Sequence, residues 1–309
     1  MTWNLWWRFG PWQQRQSPIL AELRAVNPDV AFLQEVWADT PQGRNNADAD
    51  AAAECRGDQA QNLADGLGMS MLRTVDDAGQ PQGFGNAILS RWPLELVEQV
   101  ALPDEDGNPS RRTALLARIS APTCSLLVAV THLSWEYYHG PLRQEQLRLI
   151  VERLDAHYRR PEPQSGSAST EPPSQPELVV VAGDLNAPPN SDEVRRLTGL
   201  STPYVPKLVF TDAWAAVTDE PGHTWDRHNP HRTDSQWPRR RLDYLMVGWP
   251  RPKPLGNPRS AVLAGKQAHD GVVPSDHYGV VAEIDRRVSI ESPASAPGAG
   301  VQGNAGKVS

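Results

Sequence analysis

Residues 179–194 read VVVAGDLNAPPNSDEV, and the reading of this stretch decides the fold. Val179 to Ala182 suit a buried strand, and Gly183 then delivers Asp184 and Asn186 at the strand's end. Alternation along an extended chain aims those two side chains to the same side. Ala-Pro-Pro-Asn at 187–190 cannot continue a ladder and turns the chain. A carboxylate and an amide two residues apart on a rigid strand end form a clamp for a water or a metal. Asp and Asn also cap turns with no further role.

Outward from this strand, other apolar runs end in polar groups in the same way. Asn4 closes Thr2-Trp3-Asn4-Leu5-Trp6, and Glu35 lies near the end of Asp29 to Val36. His132 ends Ser125 to Leu133, Asp243 sits within Arg240 to Val247, and Asp276-His277 precedes the closing run Tyr278 to Ile284. Each group alone has a structural explanation. Asn4, Glu35, His132, Asp184, Asn186, Asp243, Asp276 and His277 together call for one shared cleft, since buried polar groups must find partners.

The remaining segments fill out a large α/β chain. Ser17 and Pro18 open a helix to Val26, a second spans about 58–67, the strongest spans Leu142 to Tyr158, and Ser191 to Leu200 suggests a short one. Runs at 70–75, 83–90 and 94–102 read as successive antiparallel strands, with turns at 76–79 and at Trp92-Pro93. Arg112 to Ile119 pairs with Ser125 to Leu133, and Val262 to Lys266 adds another strand. Residues 1–285 then form one domain. Surface insertions fall at about 40–57 and 160–177, and a Pro/Gly/Ala/Ser tail at 286–309 reads as disordered.

Of 309 residues 39% are hydrophobic, and the formal net charge is -7. A broad nonspecific hold on nucleic acid is not indicated by that charge. No run of about 18 apolar residues occurs, so no integral membrane contact is expected. The start lacks the basic and apolar regions of a signal peptide, which makes a cytoplasmic location the expectation, and a monomer is expected separately. A strand that begins at Thr2 leaves room for a start codon upstream, which would reopen that reading. Cys55 and Cys124 define no disulfide framework. His223, His228 and His231 lie within ten residues, yet no patterned element surrounds them, and a substrate-facing loop is favoured over zinc.

The motifs TWN at 2–4, QE at 34–35, GNAILSR at 85–91 and THL at 131–133 occur in this order. GDLN at 183–186, RLDY at 241–244 and SDH at 275–277 complete the set, and the chain resembles the endonuclease/exonuclease/phosphatase superfamily. The resemblance implies a DNase I-like four-layer α/β/β/α sandwich of two packed mixed β-sheets. It also implies Mg²⁺-dependent phosphoester hydrolysis. Glu35 resembles the principal Mg²⁺ ligand, with Asn4 and Asp276 beside it, and Mn²⁺ is expected to substitute. Asp184 and Asn186 resemble the pair that orients the attacking water, and Asp243–His277 the dyad in which the carboxylate fixes the ring. His132 matches the second histidine, which protonates the leaving oxygen or holds the phosphate. Trp6 stands where the AP endonuclease branch has an aspartate, which counts against an abasic-site enzyme.

These residues fit the chemistry, since Mg²⁺ favours hard oxygen ligands and a histidine near neutrality carries protons. A phosphodiesterase or nuclease acting on nucleic acid or nucleotide leads. A phosphomonoesterase on a small or inositol-like phosphate, a sphingomyelinase-like lipid phosphodiesterase and a non-catalytic binding domain are the alternatives. Arg91, Trp135, Tyr137 and Trp225 are the candidate substrate-binding residues. Arg91 offers a fork of donors to a phosphate, and the aromatics offer stacking faces.

Overall fold

Every residue of β8 (Glu177–Asp184) is buried, and its two faces serve different cores. The computed structural model describes residues 1–39, 57–159, 175–232 and 238–287. Val179 and Val181 pack with Tyr244, Met246 and the apolar face of α3 (Gly140–His157), which supplies Leu147, Ile150, Val151 and Leu154. Val180 and Ala182 point the other way, into a core shared with Phe32, Ile88, Leu245 and Val280. A strand covered on both sides reads as a continuous apolar run, which is why 178–182 lacks alternation. Burial of each such Val or Leu is worth about 1.5–3 kcal/mol.

One six-stranded sheet contains β8 with β5 (Leu94–Pro103), β6 (Pro109–Ser120), β7 (Ser125–His132), β9 (Val209–Asp212) and β10 (Asp243–Trp249), in the order β5-β6-β7-β8-β10-β9. The other contains β1 (Thr2–Asn4), β2 (Val30–Trp37), β3 (Ser70–Arg73), β4 (Phe84–Ser90), β11 (Pro258–Ala264) and β12 (Gly279–Ile284), in the order β11-β12-β1-β2-β4-β3. The β1–β2 and β7–β8 pairs are parallel and the remaining pairs antiparallel, so both sheets are mixed. Behind the second sheet, α1 (Trp12–Val26) and α2 (Gln59–Leu67) bury Ile19, Leu23, Ala60 and Leu63 against Trp3, Leu5 and Leu33. Helices thus flank two stacked sheets, and the four-layer α/β/β/α sandwich holds. Among the described residues no helix is long and apolar enough to cross a membrane.

Two local expectations are corrected. The first helix starts at Trp12 rather than after Ser17, and Pro18 lies inside it. An extra turn there carries Arg15 into the interior, so tertiary contacts outweigh the helix-start signal of Ser-Pro. The strand after Trp92-Pro93 does not pair with β4. β5 pairs with β6 in the opposite sheet, so the Trp92-Pro93 turn is where the chain crosses between sheets. The insertion residues 40–56 and 160–174, Cys55 and the tail beyond residue 287 lie outside the described residues.

Candidate active site

Period-two geometry sets out half of the site. On β7, β8 and β10 the residues facing the other sheet are Val128 and Val130, Val180 and Ala182, Leu245 and Val247. Continuing each alternation places His132, Asp184 and Asp243 on the same face. The register aligns them, His132 opposite Asp184 and Asp184 opposite Asp243, across three adjacent strands. Gly183 is needed directly before Asp184: with φ at 143°, an added Cβ would meet the Thr131 carbonyl oxygen at 1.9 Å. Asp184 Oδ1 accepts the Asn186 N–H at 2.9 Å, and the Asn186 amide donates to the Leu133 carbonyl at 3.1 Å. Asp184 Oδ2 is thereby turned into the cleft.

The facing sheet supplies the rest. Alternation alone would send Glu35 with Leu33 and Ala31 into the helix-side core. A register shift between Leu33 and Val36, with Glu35 at φ 54°, re-aims its carboxylate into the cleft. A bulge of this kind next to a site commonly redirects one side chain, at a cost in backbone strain. Asn4 donates to Glu35 Oε1 and to Asp184 Oδ2, both at 3.1 Å, and so links the two sheets. Its carbonyl oxygen accepts the Trp6 N–H at 2.9 Å. Asn4 therefore comes to the site as a bridge between carboxylates, with its amide oxygen engaged by the backbone. Ser275 Oγ donates to the Asn4 carbonyl at 2.7 Å and anchors the segment carrying Asp276 and His277.

His277 Nδ1 lies 2.8 Å from Asp243 Oδ2, and both residues are buried. His277 Nε2 is 3.8 Å and His132 Nε2 3.5 Å from Asp184 Oδ2, so this one oxygen faces both rings. Burial pushes Asp184 up to about 6, with Asp243 adding to it. Burial likewise raises Glu35, and lifts Asp276 to about 7 against the pull of His277. For His277 burial favours the neutral ring, but Asp243 and Asp184 outweigh it and push the ring up to about 10. Burial, then the Arg112 and His277 cations, hold His132 well below the usual histidine range. The two imidazoles are thus split, one cationic and one neutral, where a dyad ring near neutrality had been expected.

Glu35 Oε2, Asp276 Oδ1 and Asp243 Oδ1 are buried without a hydrogen-bond partner. Such orphaned carboxylate oxygens are costly unless a cation completes them. Asp184, Asp243 and His277 form a cluster able to hold a divalent cation, with one ligand atom from each within 4.8 Å of the others. The donors are mainly hard oxygens, which fits Mg²⁺ or Mn²⁺.

The cleft holds about 410 Å³ and is lined by Glu35, His132, Asp184, Asn186, Asp276 and His277. Trp135, Tyr137 and Trp225 line it as expected. Trp135 and Tyr137 stand 64% and 67% exposed on its rim, and Trp225 packs 4.7 Å from the His277 ring. Arg91 is not brought there. β4 runs antiparallel to β2 and pairs Ser90 with Val30, so Arg91 sits at the end of the sheet away from Glu35. Its guanidinium is spent on the Asn27 and Pro28 carbonyls. The three loop histidines do not converge: His228 contacts Asp226, while His231 contacts the Val273 carbonyl.

Sequence reasoning missed Phe84, Arg112 and Arg240, all in the cleft wall. Strand carboxyl ends drew attention, whereas Phe84 and Arg112 begin or nearly begin β4 and β6, whose antiparallel partners β2 and β7 end at the site. Antiparallel pairing is the signal that would have found them.

The sequence matches the Endonuclease/Exonuclease/phosphatase family over residues 1–161 and 168–277. It is 25% identical over 298 residues to Tyrosyl-DNA phosphodiesterase 2 of Gallus gallus, covering 92% of this chain and 66% of that protein, just under two thirds of its length. Among solved structures, D. rerio TDP2 complexed with single strand DNA product is similar at TM-score 0.63 and 20% identity, with 91% of this chain and 96% of that one covered. The endonuclease/exonuclease/phosphatase from Bacteroides vulgatus is similar at TM-score 0.62 and 17% identity, covering 92% and 97%. Both structural likenesses are to the fold.

Proposed function

This chain belongs to the endonuclease/exonuclease/phosphatase family, and from that premise we propose that it is a Mg²⁺-dependent phosphodiesterase taking esters with flat aromatic substituents. The observation that carries the reading is a set of buried, cation-seeking carboxylates at the floor of a cleft whose walls are aromatic. Phe84 lies 6.1 Å from His132 on one flank, and Trp225 lies 4.7 Å from His277 on the other. Bases or phenolic rings stack on such faces. Among the described lining residues the cations other than histidine are Arg112 and Arg240, few for a polyphosphorylated inositol. The similarity to a tyrosyl-DNA phosphodiesterase points to the same kind of ester, an aryl group on a nucleotide phosphate.

In this reading Glu35 and Asp276 hold the ion, as two of the three carboxylates with orphaned oxygens, the third, Asp243, being engaged by His277, and Asn4 keeps Glu35 and Asp184 in register. When bound, the ion would withdraw charge from the phosphate and stabilise the departing oxygen. Asp184 takes a proton from the attacking water. Its pKa of about 6 lies close to the working pH, where a general base is effective. Asn186 lines the same wall and fixes that carboxylate through its backbone N–H. The water oxygen bonds to phosphorus as the ester P–O bond breaks, and the electron pair leaves on the ester oxygen. A phenolic oxygen, with a pKa of about 10, departs without prior protonation. Cationic His277 has Nδ1 committed to Asp243 and offers its Nε2 proton to a phosphoryl oxygen, while Arg112 faces the same cleft. Neutral His132 supports the phosphate from the other side or returns a proton to a poorer leaving group.

The test compares the p-nitrophenyl ester of thymidine 5′-phosphate, a 5′-phosphotyrosyl oligonucleotide, glycerophosphodiesters and an inositol polyphosphate, each with Mg²⁺. The aryl nucleotide esters should lead by at least about tenfold in kcat/KM, the scale of one well-packed aromatic contact. Preference for the inositol polyphosphate would overturn the assignment.

A further inference from the structure

We infer that Arg15, which does not itself line the cleft, is the residue that positions the ion-binding carboxylates. Arg15 is fully buried in the first turn of α1. Its Nη1 donates to the carbonyls of Leu5 and Pro274 at 2.8 and 2.9 Å. Its Nη2 donates to those of Trp6, Trp7 and Phe9 at 2.9, 2.9 and 3.0 Å. Four of these acceptors lie in the loop that leaves Asn4, and the fifth lies two residues before Asp276. One guanidinium therefore gathers the two segments on which Asn4 and Asp276 depend. Trp6 closes the arrangement, with its ring 4.7 Å from the guanidinium and its N–H on the Asn4 amide oxygen.

A buried cation is normally placed beside a carboxylate. Arg15 instead contacts carbonyl oxygens, and its nearest charge partners are Asp276 and Glu35, which act on it without a hydrogen bond. Burial lowers its pKa only to about 10, so it stays charged at neutral pH. The planar fork meeting five carbonyls of two loops, which Ser275 Oγ also ties together through the Asn4 carbonyl, is a device that lysine cannot reproduce. Trp6 and Trp7, held at φ 59° and 35°, show that the loop adopts a conformation its own residues do not favour. Arg15 supplies the contacts that sustain it.

This inference rests on Glu35 and Asp276 being the ion's ligands, and the experiment separates the two claims. Mn²⁺ binding is measured by electron paramagnetic resonance, and aryl diester hydrolysis by kcat and KM, on wild type, Arg15→Lys and Arg15→Met. Amounts are normalised to the folded fraction. Wild type that binds no Mn²⁺ would refute the ligand assignment. With wild-type binding in place, both variants should weaken Mn²⁺ by about tenfold or more and lower kcat by a similar factor with KM within about twofold. Equal Mn²⁺ affinity and kcat in folded variants with a lowered Tm would overturn the inference and leave Arg15 a packing residue. Tighter Mn²⁺ binding by Arg15→Met alone would also overturn it, since removal of charge repulsion would then dominate. Should neither variant fold, ¹⁵N spectra of the wild-type arginine side chains decide. Slowly exchanging Arg15 Nη protons that shift on Mg²⁺ addition support positioning, and freely exchanging or unresponsive ones refute it.

Discussion

Asp243→Asn isolates the dyad. The Asp243 carboxylate sits 2.8 Å from His277 Nδ1 with no solvent exposure, and it leads the charges that hold the ring up at about 10. At pH 7.5 the wild-type ring is therefore almost wholly protonated. An uncharged amide of the same shape removes that support while burial still favours the neutral ring. Were the pKa to return only to the ordinary ~6.5, about a tenth of the molecules would carry the cation at pH 7.5. The amide can also present its NH₂ to Nδ1, which holds the ring in the neutral form with its single proton on Nε2 and removes the cation that faced the phosphoryl oxygen. Together these effects should lower kcat on the order of 10²-fold or more. The pH profile carries the sharper signature, because the residual activity of Asp243→Asn should rise as pH falls from 8 to 6. The assay is hydrolysis of an aryl diester across that range, with Tm verifying the fold. A variant within threefold of wild type (about 0.7 kcal/mol) and with an unchanged profile would refute the argument.

Stability without metal should depend on pH in a definite direction. Asp184 and Asp276, at about 6 and 7 when folded, lie above their unfolded values, so the folded state keeps protons that the unfolded state releases. Their contribution is present below pH ~4 and lost as pH rises through 6 to 7, and His277 adds a loss between ~6.5 and ~10. Tm in EDTA should fall by about 5 °C between pH 5.5 and 8, with Mg²⁺ restoring much of it at pH 8. A Tm that rises over that interval would contradict the assignment. Arg112→Gln should raise KM for diesters roughly tenfold with the fold intact, as read by initial rates and Tm, since it lines the cleft and forms no ion pair among the described residues. Trp135→Ala with Tyr137→Ala should cost nucleotide esters about tenfold in kcat/KM and leave bis-methyl phosphate hydrolysis unaffected, because both rings stand on an exposed rim.

Much of this site was legible because strands count in twos. Val180, Ala182 and Asp184 share one face, as do Val128, Val130 and His132, so the apolar run predicts where its polar end points. Glu35 breaks the count: its bulge is a backbone irregularity that no periodicity encodes, and what pointed to it was the cost of an acid near the end of an apolar strand, together with the family motif. Arg91 misled because the end of a strand was equated with the site, while β4 enters the sheet from the cleft and leaves at the far side. The first helix misled for a different reason. Ser17-Pro18 is a sound local start signal, and it lost to an Arg15 side chain whose five acceptors are distant in sequence or outside any element. Charge states escaped sequence reading altogether, since the separation of His132 from His277 depends on Asp243 lying 2.8 Å from one ring while burial and the Arg112 cation act on the other.

The most direct test of the central claim is paired hydrolysis of bis-p-nitrophenyl phosphate and p-nitrophenyl phosphate, with Mg²⁺ or EDTA, by wild type and by Glu35→Gln and His277→Ala. The account predicts diester cleavage that requires the ion, exceeds monoester cleavage, and falls on the order of 10²-fold or more in both variants. Diester cleavage that persists in EDTA, or that survives Glu35→Gln at near wild-type rate, would contradict it.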